Sequence, residues 1–122
     1  MLAYINSFIT FGYSSEVKRI AKHCAYTGKT FNGKTHPTFE HIRPHCKGGK
    51  NNISNCLAVT KEINNKRGCM PFIMWIKKFP EVIQHIQDYL NELRGQRINN
   101  VDYVEAVKKT LNEEAKGLAV FV

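Results

Sequence analysis

At 122 residues the chain has room for one domain with one modest core. Its 43% hydrophobic and 23% charged residues are an ordinary globular composition, neither disordered nor membrane-like. Eighteen Lys and Arg against ten Asp and Glu leave a net charge of +8, which points to a polyanionic partner, nucleic acid first.

The opening stretch MLAYINSFITFGY is apolar but lacks a basic leader and a small-residue cleavage site. It reads as a helix or strand packed on the core. No run approaches the roughly 18 apolar residues of a membrane helix. The expectation is an intracellular, cytoplasmic protein with no membrane partner. In SSEVKRIAKHC, Ser15 can cap a helix, Glu16 suits its first turn, and Val17, Ile20, Ala21 and Cys24 form one apolar face. Asn32-Gly33 is a two-residue hairpin signal, since both residues tolerate positive φ. The extended run Thr38 to Ile42 stops short of Pro44, which cannot donate to a sheet ladder.

HCKGGKNNIS is a loop by composition, and NCLAVT, residues 55–60, has strand length. Thr60 can cap a short helix over KEINNKRG that Gly68 and Pro71 stop. Pro71 and Pro80 each suit a first helical position. The helix after Pro80 keeps Val82, Ile83, Ile86, Leu90 and Leu93 on helical spacing and ends at Gly95. Asn100 can cap a last helix with Val101, Val104, Val107 and Leu111 on one face. The tail LAVFV has no placement. No repeat or long linker divides the chain, so residues 1–122 read as a single domain.

Four cysteines, Cys24, Cys46, Cys56 and Cys69, contain no Cys-x-x-Cys pair. The absence of a secretion signal argues for free thiols, and the spacing weighs against a structural zinc built from cysteine pairs.

Residues 40–68, EHIRPHCKGGKNNISNCLAVTKEINNKRG, resemble the core of the HNH endonucleases, of the His-Me finger or ββα-metal class. Glu40-His41 stand at the acid–His pair that opens the motif. Asn55 stands at the central Asn, and Asn64, nine residues later, at the closing position. Pro44, Gly48-Gly49 and the NKRG that follows Asn64-containing KEIN also match. The resemblance implies an α+β domain with a ββα-metal core over about residues 24–68. N- and C-terminal helices flank it, the C-terminal extension covering about residues 71–116. It implies a metal-dependent endonuclease acting on DNA and leaving 5′-phosphate and 3′-hydroxyl ends.

Phosphodiester hydrolysis needs an activated water and positive charge around the phosphate. His41 is the expected base. Glu40 and Asn64 are the expected oxygen ligands of Mg²⁺ or Mn²⁺, with Asn65 the alternative to Asn64. Adjacent strand residues face opposite ways, so a shared Glu40–His41 site requires the strand to end there, as Pro44 and the Gly-rich loop suggest. By resemblance, Asn55 holds the loop so that the His keeps its orientation. Arg43, Lys47, Lys50 and Lys66 are expected to make non-specific contacts to the nucleic-acid backbone. Arg67, three residues from Asn64 on one helix face, is expected to reach a phosphate.

Many relatives carry a zinc knuckle of two Cys-x-x-Cys pairs. Here Cys24 is followed at that spacing by Thr27, and the second pair falls on Thr60 and Ile63, so packing is expected to hold the core. His45 and Cys46 could join Cys24 or Cys56 around zinc, although loop residues of this kind usually carry no metal. Trp75 reads as core. Rival readings are the same core acting on RNA, a basic DNA-binding module that does not cut, and a zinc-stapled interaction domain. One catalytic centre cuts one strand, so double-strand cleavage would need a homodimer or sequential nicking.

Overall fold

The computed structural model describes residues 15–118 and 120–122. The expectation for MLAYINSFITFGY lies outside the described residues. The fold is α+β. In chain order it has helical residues 15–20 (α1), β1 (Pro37–His41), β2 (Cys56–Thr60), α2 (Lys61–Arg67), α3 (Phe72–Lys78) and α4 (Glu81–Glu92). A short pair, β3 (Arg97–Ile98) and β4 (Val101–Asp102), then leads into α5 (Tyr103–Ala115). β1 pairs with β2 and β3 with β4, each antiparallel, as two separate two-stranded sheets.

The first sheet is the centre of the fold. Its register runs from Pro37 opposite Thr60 to His41 opposite Cys56. Every residue of β2 is buried, which leaves its second edge needing partners away from water. The packed segments supply them. Ala25 donates from its backbone N to Ala58 O at 2.9 Å, and Ala58 N donates to Tyr89 Oη at 3.1 Å. Tyr103 Oη donates to Cys56 O at 2.6 Å and lies 2.7 Å from Tyr89 Oη. Tyrosines of α4 and α5 thus stand where a third strand would. Burial pushes both hydroxyls above their ordinary range and keeps them as neutral donors.

The capping signal of α2 holds, whereas Ser15, the expected cap of α1, is itself helical and α1 stops at Ile20, short of Ala21 and Cys24. Thr60 accepts from Ile63 N to open α2, and Gly68 closes it. Pro71 and Pro80, expected at first helical positions, stand one residue earlier, at the caps, where their carbonyls receive the first bonds of the helix. On α4, Val82, Ile86 and Leu90 turn inward; on α5, Val104, Val107 and Leu111 do the same. Trp75 of α3 is fully buried, its ring 5.5 Å from that of Tyr26 and 4.9 Å from that of Phe79.

Three further expectations change. The chain reverses at Ala25–Gly28 rather than at Asn32-Gly33. Gly28 takes φ +73°, and His23 bridges to Thr30. Asn32 instead folds a local turn by accepting Lys34 N and Thr35 N on its side-chain oxygen. Asn100 does not cap α5. Asn99 and Asn100 both take positive φ, 51° and 64°, and form the turn between β3 and β4. Asp102 is the cap, accepting Glu105 N at 3.1 Å, and Val101 is exposed. Finally, Cys46 and Cys69 form a disulfide, which corrects the expectation of four free thiols; Cys24 and Cys56 remain free and buried.

The tail also has a seat. Phe121 is buried against Phe72 at 6.4 Å between ring centres. The Asn112 amide accepts Phe121 N and donates to Phe121 O, and Gln87 does the same for Val122. Among the described residues no helix is long and apolar enough to cross a membrane.

Candidate functional site

β1 stays paired through His41, so the alternation of a strand applies to the last two residues. Glu40 turns inward and is 4% exposed; His41, half-buried, turns the other way. The expectation that the strand ends early enough for both side chains to converge is therefore corrected.

Inside, Glu40 meets Arg67. Their ion pair spans 3.1 Å, and Arg67 is only 2% exposed. The guanidinium is used up within the fold. Nη1 also donates to Tyr26 Oη at 2.9 Å and to His41 O at 2.8 Å; Nη2 donates to Ile42 O at 2.6 Å and Nε to Met70 O at 3.1 Å. Arg67, expected to reach a phosphate, is instead a buried knot joining α2 to the end of β1. Burial pushes the Glu40 carboxyl above its ordinary value, and Arg67 and Tyr26 oppose that shift without cancelling it. Burial works against the Arg67 charge, but Tyr26 and Glu40 together push its pKa up.

Outside, His41 sits at a polar mouth. Its Nε2 is 2.6 Å from Asn51 Oδ1. An amide oxygen can only accept, so Nε2 carries the hydrogen, and in the neutral imidazole the lone pair is then on Nδ1. The His41 ring stands edge-on to Phe39 at 5.0 Å and to His45 at 5.9 Å. His45 is exposed and opens a 3-10 turn, His45–Lys47.

The loop between β1 and β2 is tied at both ends by one residue. Asn55, 5% exposed, accepts Arg43 N on Oδ1 at 2.8 Å. Its Nδ2 donates to Arg43 O and to Lys50 O, both at 3.0 Å. Gly49 fits under this clamp only because it has no side chain: a Cβ there would lie 1.7 Å from Arg43 O. Cys46, in the 3-10 turn, is joined to Cys69 just beyond α2. Arg43, Lys47 and Lys50 are exposed along this loop. Lys66 is exposed on α2, with Nζ 4.5 Å from the centre of the Phe79 ring.

Asn64 reaches from α2 to β1. Its Nδ2 donates to Thr38 Oγ1 at 3.2 Å and to Phe39 O at 3.1 Å. A hard cation wants accessible oxygen ligands, and the Glu40 carboxylate is buried and taken by Arg67 and Tyr26. Glu40 and Asn64 therefore do not fit as a joint ligand pair in this arrangement. Among the described residues no group of three or more His, Cys, Asp and Glu is placed to hold a metal ion.

The sequence reading gave no role to Asn51 or Tyr26 and weighed His45 only as a zinc ligand. Asn51 had no signal beyond loop composition. Tyr26 had none, because its hydroxyl meets Arg67 across 41 residues. No family model, curated protein or solved structure matches the chain.

Proposed function

We propose that the chain is an HNH-type endonuclease hydrolysing DNA phosphodiester bonds, with β1, the loop, β2 and α2 acting as a His-Me finger core. The observation that carries the reading is His41: a solvent-facing imidazole, fixed through Nε2 by Asn51, at the mouth of a basic loop. Its Nδ1 takes the proton from a water that attacks phosphorus in line, and the 3′ oxygen departs. Asn55 holds the backbone of the loop at Arg43 and Lys50 in one shape. Arg43, Lys47, Lys50 and Lys66 neutralise the phosphates around the cut; this makes binding strong at low salt and insensitive to sequence. Mg²⁺ or Mn²⁺ belongs to the reading through the resemblance, not through Glu40. Cleavage of both strands requires two copies or two successive nicks.

One observation favours a second reading. The Glu40 carboxylate is committed to Arg67, as it would be in a basic DNA-binding module that keeps the core but does not cut. Supercoiled plasmid incubated with the protein in Mg²⁺, Mn²⁺ or chelator separates the two. The nuclease reading expects nicked circles that depend on added cation. Intact plasmid in every condition, with salt-sensitive DNA binding, supports the binding module. RNA in place of plasmid tests the alternative substrate.

A further inference from the structure

We infer that His45 is a second catalytic residue, the general acid that protonates the departing 3′ oxygen; this rests on the nuclease reading of His41. The two rings lie 5.9 Å apart, inclined at 62°, at the mouth of the same loop. His45 is exposed and His41 half-buried. With a reach of about 3 Å from a ring nitrogen to a reacting oxygen, two imidazoles at this spacing can address the entering and leaving oxygens of one phosphoryl group.

His45 is also held still enough for the task. Gly48 N donates to His45 O at 3.1 Å, and Lys47 N and Gly49 N both donate to Pro44 O at 2.9 Å. The next residue, Cys46, is bonded to Cys69. Asn55 fixes the two ends of the loop behind the turn.

The chemistry asks for such a group. Breaking the P–O3′ bond expels an alkoxide, which needs a proton or a positive charge at that oxygen. Glu40 is not available to hold a cation there, because its carboxylate is paired with Arg67. Water gives a proton to His41 Nδ1 as its oxygen bonds to phosphorus. The P–O3′ electron pair stays on O3′, which takes a proton from the His45 imidazolium. His41 then returns its proton to solvent and His45 regains one. The net reaction adds one water across the ester.

A leaving group that needs no proton tests this directly. The linkages that the wild-type protein cuts in a duplex oligonucleotide are mapped first. One of them is then rebuilt with sulfur in place of O3′, since a thiolate departs without protonation. His45→Ala is expected to slow cleavage of the oxygen ester by about 100-fold or more and that of the sulfur ester by no more than about threefold. His41→Ala is expected to slow both. The sulfur ester also serves as the folding control for His45→Ala. Equal loss on the two esters, or no loss on the oxygen ester, overturns the role of His45 while leaving the nuclease reading in place. A wild-type protein that cuts no linkage overturns both.

Discussion

Arg67 shows how one side chain can change the meaning of a motif. Its guanidinium satisfies Glu40, the Tyr26 hydroxyl and three backbone carbonyls at once. Removing it takes the charged partner from a buried carboxylate and the side-chain donor from those three carbonyls. Arg67→Met is therefore expected to cost roughly 3–5 kcal/mol in urea unfolding, and Glu40→Gln distinctly less, because Gln keeps an acceptor oxygen in place. Glu40 also carries a pH signature. Burial raises its carboxyl in the folded chain, so the folded state binds that proton more tightly than the unfolded state. The contribution is greatest at acid pH and declines as pH rises through and above the ordinary carboxylate value. Urea titrations from about pH 4 to about pH 7 should show wild-type stability falling relative to Glu40→Gln. A difference that grows in the opposite direction would mean that Arg67 outweighs burial.

At the scale of elements, the loop between β1 and β2 is built to hold one shape. Asn55→Ala removes three hydrogen bonds made from a buried amide, and a loss of roughly 2–3 kcal/mol is expected from the polar groups left behind. Gly49→Ala should be worse than its size suggests, since the new Cβ collides with Arg43 backbone rather than with a movable side chain. The Cys46–Cys69 bond closes a loop of 23 residues in sequence separation. Cys69→Ser is expected to lower stability by about 3 kcal/mol on loop-closure grounds, read as a lower midpoint in thermal or urea unfolding.

Much of this architecture was legible. The order strand, loop, strand, short helix follows from local signals: Pro44, Gly48-Gly49, the apolar run before Thr60, and Thr60 as a cap. The inward turn of Glu40 was not, because it depends on Tyr26 and Arg67 meeting across 41 residues and on pairing that continues to His41. Asn99-Asn100 misled for a different reason: Asn serves equally as a helix cap and as a left-handed turn residue, and only Asp102, two residues on, decides between them. Asn100→Gly relieves the positive φ of that turn but loosens the unfolded chain, so thermal unfolding is expected to shift by less than about 1 kcal/mol in either direction.

Across the whole molecule, helices and tyrosine hydroxyls enclose β2, so the catalytic candidates lie on a rigid base rather than on a free hairpin. The net charge of +8 and the exposed Arg43, Lys47, Lys50 and Lys66 suit a backbone-binding surface. The logarithm of DNA affinity should fall linearly with the logarithm of salt. Replacing Lys47 or Lys50 by Ala should reduce the slope by about one each if each neutralises one phosphate. The central claim is that His41 does the chemistry while Glu40 only supports it. Its most direct test is plasmid nicking by wild type, His41→Ala and Glu40→Gln at matched folding, judged by circular dichroism. The expected result is a fall of about 100-fold or more for His41→Ala, with Glu40→Gln retaining activity within about tenfold of wild type. A folded Glu40→Gln as inactive as His41→Ala, or a His41→Ala that nicks like wild type, would contradict it.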